Sequence, residues 1–238
     1  MSSAPKTARE RARTEITAEI LQIARQQLTR VGPGELSLRA VAREVGMVSS
    51  AVYRYFPSRD DLLTALLISA YDELGAAVEA ADASVRRRED YARRWLVSCR
   101  AIRAWAVEHR GDYALLYGSP VPGYAAPQST VPAASRVTTV LVGIAVHAHA
   151  GRTDDVSVDE AVPRKLHRTL AGARDFANAL HDGPGDPPDE LIVRTVMAWS
   201  TVFGTISFEL FGHLVGAVDD HATYFDAVVG RLARDLSL

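Results

Sequence analysis

The chain has 238 residues, of which 47% are hydrophobic, enough to bury a core in one large domain or in a small domain joined to a larger one. Its formal net charge of −2 does not by itself indicate a nucleic-acid partner. The single cysteine, Cys99, excludes a disulfide within the chain and is typical of a reducing compartment, so we expect a cytoplasmic protein.

The charges are distributed unevenly along the chain. Residues 1–60 hold ten basic and six acidic residues, an excess of four positive charges, whereas the remainder has seventeen basic and twenty-three acidic residues. This asymmetry is consistent with nucleic-acid contact, although chance could also produce it. The opening MSSAPKTARERARTE has no apolar run, so we expect no secretory signal. The basic arm, residues 1–13, is either a solvated tail or a DNA-contacting extension.

Three helices are predicted in the first 57 residues. The first has apolar residues at helical spacing from Ile16 to Val31 and ends at Gly32-Pro33-Gly34. A second, with Ser37 as its N-cap, ends before Gly46. A third covers Ser49 to Phe56 and ends at Pro57.

A larger helical body is predicted after Pro57. Ser58 to Asp61 resembles a capping box and opens a long helix that continues through Leu74. Further helices are predicted over 89–109, 112–117, 133–150, 164–181, 189–215 and 221–236, with loops at 118–132, 151–163 and 182–188. No convincing strand pattern occurs. The sequence therefore predicts an all-α fold of nine to ten helices, with a three-helix domain over 1–57 and a body over 58–238.

The second and third helices have the spacing of a helix-turn-helix, in which the later helix enters the major groove of DNA. The apolar positions predicted to point inward on that later helix are Val48, Ala51, Val52, Tyr55 and Phe56. The positions left outside are Ser49, Ser50, Tyr53 and Arg54. Hydroxyl and guanidinium groups can contact phosphates and base edges, and Arg39 and Arg59 could add contacts from neighbouring helices.

The segment LSLRAVAREVGMVSSAVYRYFPSRDDLLTALL resembles the DNA-binding signature of the tetracycline-repressor (TetR) family of bacterial regulators, and the resemblance covers about residues 14–70. Its most specific part is Tyr53-Arg54-Tyr55-Phe56 followed by Arg59, Asp60 and Leu62-Leu63. The resemblance implies base or phosphate contacts for Ser37, Arg39, Ser49, Ser50, Tyr53, Arg54 and Arg59. The family often has His and Lys where this chain has Tyr55 and Arg59. Arg59 keeps the positive charge at its position, whereas Tyr55 would form different hydrogen bonds. We expect Tyr55 mainly to pack, and it is also a candidate for DNA contact.

The C-terminal half resembles an actinobacterial subgroup of the same family, in residues 103–127 and 198–216. The resemblance implies a ligand-binding and dimerising domain without identifying the ligand. A pocket between body helices would have aromatic and apolar walls, although each candidate could equally be plain core. The candidates are Trp95, Cys99, Ile102, Tyr117, Phe176, Leu180, Trp199 and Phe203.

The helix over 189–215 is apolar nearly all round. Its uncharged run, Thr195–Phe208, has fourteen residues and is too short to span a bilayer, so we expect no membrane partner. Such a helix needs cover on more than one side. We expect a homodimer through the 189–215 and 221–236 helices, and plain burial in a monomer is the alternative.

Metal and catalytic motifs are not found in the sequence. His147 and His149 are two positions apart on a helix, so their side chains point in different directions, and no metal is expected. The chain lacks HExxH, CxxC, GxSxG, GxGxxG and P-loop patterns, and a lone Cys99 in an apolar helix is typical of core. We therefore expect neither a cofactor nor enzymatic activity.

These patterns together predict a dimeric one-component transcriptional regulator, expected to be a repressor. The Ser49–Phe56 helix would bind an inverted-repeat operator, and a small molecule in the helical body would release it. The helix after Ser58 would join the two parts. The alternative is a helical small-molecule-binding protein or enzyme whose N-terminal unit is structural.

Overall fold

The computed structural model describes residues 7–150, 163–181 and 186–238. These ranges contain eleven α-helices and two short 3₁₀ turns without a strand, which confirms the predicted all-α class. The helices are α1 (Ala8–Val31), α2 (Leu38–Val45), α3 (Ser49–Val52), α4 (Arg59–Ala83), α5 (Tyr91–Glu108), α6 (Arg110–Tyr117), α7 (Val131–Ala150), α8 (Arg164–Thr169), α9 (Ala171–Asn178), α10 (Asp189–Leu210) and α11 (His221–Asp235).

Side-chain caps mark where several of these helices begin. The Thr7 hydroxyl accepts from the amide of Glu10 at 3.2 Å, and the Glu10 carboxylate accepts from the amide of Thr7 at 2.7 Å, which forms a capping box at α1. The predicted cap of α4 is present, since the Ser58 hydroxyl accepts from the amide of Asp61 at 3.1 Å. Asp220 caps α11 through two backbone amides. Local sequence therefore determines these boundaries.

Some helices differ from their predicted extents. α3 ends at Val52, and the chain continues to Phe56 in turns in which the amide of Phe56 donates to the carbonyl of Val52 at 3.0 Å. Pro57 disfavours a helical conformation at Phe56, so the helix could not have continued beyond this turn. The predicted 164–181 helix divides at Leu170 into α8 and α9, and α10 ends at Leu210.

Three predicted segments fall wholly or partly outside the described residues. The predicted loop over 151–163 lies outside except for its last residue, and the loop over 182–188 is described only from 186 onward. In the basic arm, residues 1–6 lie outside, whereas residues 8–13 form the first turns of α1. The described part of the arm is therefore helical.

The chain forms two compact units. The first contains residues 1–71 and 109–131, and the second contains residues 72–108 and 132–238. The first unit thus extends beyond the predicted boundary at residue 57. It also includes the start of α4, α6 and the segment after α6. The functional division into 1–57 and 58–238 stays a prediction.

The first unit has one core built from α1, α2, α3, α4 and α6. Tyr71 and Tyr124 pack at its edge, and the hydroxyls of Tyr124 and Thr64 share a hydrogen bond of 2.9 Å. Leu115 from α6 and Val121 from the following segment are buried in the same core as the helix-turn-helix. The other buried members are Ile20, Ala24, Leu28, Leu36, Leu38, Val41, Ala42, Val52, Phe56, Leu62, Leu63, Leu66 and Leu67.

The second unit packs α5 against α10 and α11. The indole nitrogen of Trp95 donates to the carbonyl of Val229 at 3.0 Å, which ties α5 to α11. Arg103 donates to both carboxylate oxygens of Glu209 at 2.7 and 2.8 Å, which ties α5 to α10. Since this pair is largely buried, losing one partner would leave an uncompensated charge.

Two helical stretches, Gln128–Ala150 and Asp189–Leu210, are long and apolar enough to cross a membrane by length and composition alone. Core helices of water-soluble proteins pass the same test. In the most apolar part of each stretch, 50% of the first and 39% of the second is buried, so the second stretch is less covered.

Candidate nucleic-acid interface and apolar cavity

The helix-turn-helix is built from α2, the turn at Gly46 and α3. Gly46 ends α2 with φ 76° and ψ 21°, a left-handed conformation that glycine adopts without a steric cost. Arg39 and Arg43 on α2, and Ser50, Tyr53 and Arg54 at α3, are exposed. We call these five side chains the reading face. They can offer guanidinium, hydroxyl and phenol groups to phosphates and base edges.

A polar network connects α1 to α2 behind this face. Gln27 is 4% exposed, and its amide donates to Glu44 at 3.4 Å while its oxygen accepts from the amide of Ser37 at 3.5 Å. Arg30 donates to both carboxylate oxygens of Glu44 at 2.7 and 2.9 Å. The network holds α2, and with it Arg39, in a defined orientation on α1.

Four of the predicted DNA-contacting residues, Ser37, Ser49, Tyr55 and Arg59, are less exposed than the reading face. Ser37 and Ser49 are half-buried, and the Ser37 hydroxyl accepts from the amide of Ala40 at 3.5 Å as the cap of α2. Tyr55 is also half-buried, and the guanidinium of Arg13 lies 5.2 Å from its ring centroid. This cation–π contact links α1 to the turn after α3.

Arg59 uses its guanidinium inside the first unit. Its Nε donates to the carbonyl of Leu36 at 3.0 Å, and one terminal nitrogen donates to the carbonyls of Pro33 and Gly34 at 2.9 and 2.8 Å. These hydrogen bonds connect the segment before α2 to the start of α4. The geometry favours a positioning role, and the predicted phosphate contact stays a prediction.

We expect Arg59→Ala to lower the free energy of unfolding by about 1–3 kcal/mol, because it removes charge-assisted hydrogen bonds to three carbonyls. Arg59→Lys should restore little, since one ammonium cannot reproduce the planar fork. Chemical denaturation measures both variants, with the exposed Arg43→Ala as control. An unchanged stability together with weaker DNA binding would contradict the positioning role and favour the phosphate contact.

Val48 departs from its predicted inward position. It is the N-cap residue of α3 and is 71% exposed. Helical spacing assigned it to the apolar stripe because it lies three and four positions before Ala51 and Val52. Placed beside Ser49 and Ser50, its side chain adds an apolar group to the helix-turn-helix surface, of the kind that can contact a thymine methyl.

An apolar cavity of about 140 Å³ lies in the second unit, between α7, α9 and α10. Two of the predicted ligand-binding residues, Phe176 and Trp199, line it. The Trp199 ring packs at 5.2 Å, centroid to centroid, against Phe203. The described lining residues are Thr138, Val142, Ala173, Phe176, Ala177, Ile192, Thr195, Val196 and Trp199.

The other predicted ligand-binding residues are not among those lining the cavity. Trp95, Cys99, Ile102 and Phe203 are buried in the second unit, and burial raises the pKa of the Cys99 thiol far above its usual range. Leu180 packs beside the cluster of Val142, Val146, Ala177 and Ile192.

Tyr117 belongs to the first unit. Its ring packs at 6.2 Å from Tyr71 and 5.2 Å from Tyr113, centroid to centroid. The structure therefore brings Phe176 and Trp199 to one cavity and leaves the remaining candidates in packing positions. Core helices also carry aromatic residues at helical spacing, and ligand contact by the remaining candidates stays a prediction.

The fold and the reading face are those of a DNA-binding transcriptional regulator of the helix-turn-helix class. Residues 20–66 match the family model described as bacterial regulatory proteins, tetR family, and residues 95–232 match that of a tetracyclin repressor-like C-terminal domain. The chain belongs to the TetR family of bacterial regulators.

Relatives cover nearly the whole chain. HTH-type transcriptional regulator Rv1816 of Mycobacterium tuberculosis is 39% identical over 234 residues, which are 95% of this chain and 94% of that protein. The crystal structure of the regulatory protein SCO4313 has a TM-score of 0.74 and 33% identity, over 95% of this chain and 98% of that one. The TetR-family regulator PfmR of Thermus thermophilus shares the fold, with a TM-score of 0.56 and 16% identity over 90% of this chain and 97% of that one.

Proposed function

We propose that this regulator is a cytoplasmic homodimeric repressor that binds an inverted-repeat operator and is released by a small molecule held in its second unit. The observation that supports operator binding is the reading face. Arg39, Arg43 and Arg54 are exposed on or directly after the two helices of the helix-turn-helix, next to the exposed Tyr53. Arginines and a tyrosine grouped in this way can contact both phosphates and base edges.

Each helix-turn-helix would place α3 in a major groove. Ser50 and Val48 at the start of α3 are short enough to allow close approach to base edges, and Tyr53 follows one turn later. Arg54 would pair with a phosphate, and Arg39 would reach into the groove from α2. Ser37, Ser49, Tyr55 and Arg59 would support this surface.

The partner proposed for α10 is a second copy of this chain. Met197 is 58% exposed and Phe208 is 53% exposed, and small residues such as Thr201 and Gly204 occur between them at helical spacing. Apolar residues interleaved with small ones allow two helices to approach closely around a two-fold axis. The 189–215 and 221–236 segments would form this isologous interface. A two-fold dimer requires half-sites separated by one or more helical turns of DNA.

Release of the protein from the operator would require the ligand to bind one of two dimer geometries more tightly than the other. α4 is one continuous helix whose residues up to 71 belong to the first unit and whose residues from 72 belong to the second. A change in the second unit could therefore reach the helix-turn-helix through the backbone of α4. A ligand that binds both geometries with equal affinity would leave operator binding unchanged.

An electrophoretic mobility shift with the DNA upstream of the chain's own gene tests the proposal. We expect binding to an inverted repeat that weakens steeply with salt, because counterions are released when arginines neutralise phosphates. Arg54→Ala should reduce the slope of log affinity against log salt by about one.

Arg93→Ala, an exposed arginine of α5, is the matched control and should keep the wild-type slope. If the wild type shows no salt-sensitive binding to any inverted repeat there, operator binding fails. That result would favour the alternative of a helical binding protein or enzyme with a structural N-terminal unit.

A further inference from the structure

We infer that the cavity between α7, α9 and α10 binds an uncharged aromatic ligand of one or two fused rings, with at most one hydrogen-bond donor. Ligand binding in the cavity does not depend on the proposed function, whereas its effect on operator binding rests on that function. Size, polarity and wall shape each support this class of ligand.

The cavity volume of about 140 Å³ limits the ligand to a small molecule. An apolar cavity of about 150 Å³ in another protein stays dry and binds benzene or xenon. Ala173 and Ala177 on α9 leave this space open, whereas larger side chains there would occupy it. A ligand with a long chain or several unfused rings would not fit without rearrangement.

The polarity of the walls excludes an ionised ligand. Among the described lining residues none is charged, and Thr138 and Thr195 supply the hydroxyls. The Thr195 hydroxyl donates to the carbonyl of Leu191 at 2.7 Å, so it presents lone pairs that can accept from a ligand. An ion placed here would lose its hydration and gain no opposite charge.

Several charged residues near the cavity are paired with one another, and Asp175 on α9 is exposed. Arg174 on α9 forms an ion pair with Asp189 at the start of α10, and the ring nitrogen of His167 lies 2.8 Å from the same carboxylate. Arg194 pairs with Glu190 at 2.8 Å. The Arg174–Asp189 pair connects α9 to α10, whereas Arg194 and Glu190 pair within α10. None of these charged groups lines the cavity.

The wall shape favours a flat ring. Phe176 and Trp199 supply aromatic surfaces from two different helices, and Trp199 is held by its contact with Phe203. Aromatic pairs prefer offset or edge-to-face arrangements at about 4.5–7 Å between centroids, which a planar ligand can adopt with each wall. Val196 is 36% exposed and lines the cavity, so the cavity reaches the surface at that side chain.

Isothermal titration calorimetry of the full-length protein with indole, benzoate and benzylamine tests the ligand class. We expect saturable binding of indole and at least tenfold weaker binding of the anion benzoate and the cation benzylammonium. Benzoate binding as tight as indole would overturn the inference, and so would the absence of indole saturation at millimolar concentration.

Cavity-filling variants test the location. Ala173→Leu and Ala177→Leu should each weaken indole binding at least tenfold, and two variants are used because one could fail to fold. Ala171→Leu, on the exposed side of α9, is the control and should bind indole like the wild type. Folded variants at both cavity positions that keep wild-type indole affinity would overturn the site.

Mobility shifts of the same variants separate this inference from the proposed function. Ala173→Leu should keep wild-type operator affinity, since it lies outside the helix-turn-helix, and should no longer respond to indole. If indole binds in the cavity but never changes operator affinity, the site stands and ligand-controlled release by this class of molecule fails. If the protein binds indole but no operator, the proposed regulator function fails alone.

Discussion

Replacing Tyr53 with alanine is expected to weaken operator binding by about 10- to 100-fold, equivalent to about 1–3 kcal/mol. Tyr53 follows α3 directly and is 40% exposed, so its phenol is available to a groove while its loss leaves the core intact. The melting temperature should therefore stay at the wild-type value. A mobility-shift titration and a circular-dichroism melt measure the two quantities.

Tyr55 is the matched control for this prediction. It is half-buried under the guanidinium of Arg13, so Tyr55→Ala should lower the melting temperature by removing packing and the cation–π contact. Tyr53→Phe separates the phenol hydroxyl from the ring. A Tyr53→Ala variant that melts earlier and binds the operator normally would reverse the roles assigned to the two tyrosines.

The parts of the fold that the sequence predicted are those determined by local chemistry. Ser37 and Ser58 begin helices, Gly46 ends one, and the apolar spacing between them specifies which face is buried. All of these signals act within a few residues. The helix-turn-helix, and the exposure of Arg39 and Tyr53 on it, could therefore be read from the sequence.

The parts that the sequence did not predict depend on contacts between distant segments. Nothing near Leu115 or Val121 indicates that they join a core formed by residues 20–67. Arg59 likewise lies in a polar stretch, Ser58-Arg59-Asp60-Asp61, and only the fold brings the carbonyls of residues 33, 34 and 36 to its guanidinium.

The position of the cavity could not be predicted from the sequence for the same reason. Phe176 and Trp199 were recognisable as aromatic residues on body helices, but the space between them exists because Ala173 and Ala177 are small. A cavity left by small residues has no signature in a single sequence, because alanines are equally common in packed helices. Trp95 and Ile102 have the same periodicity as the lining residues and fill core positions instead.

Met197→Arg is expected to convert a dimer into a monomer and to weaken binding to the full operator by about 100-fold or more. In an isologous interface each guanidinium would face the same surface of its partner and lose hydration without an opposite charge. A monomer also loses the gain in affinity that two linked half-site contacts provide. Sedimentation equilibrium gives the mass, and a mobility shift gives the affinity.

The control for Met197 is an exposed apolar residue outside α10. Val31 is 53% exposed, close to the 58% of Met197, and Val31→Arg should leave the mass of a dimer unchanged. A Met197→Arg protein that remains dimeric would show that the interface lies elsewhere on the chain.

Binding to a single half-site separates loss of the dimer from damage to the reading face. Because Met197 is exposed in the single chain, Met197→Arg should leave the core of the second unit and the reading face unchanged. The variant and the wild type should then bind an isolated half-site with equal affinity and differ only on the full inverted repeat. Equal losses on both DNAs would mean that the substitution acts on the fold, since a purely dimeric effect requires two half-sites.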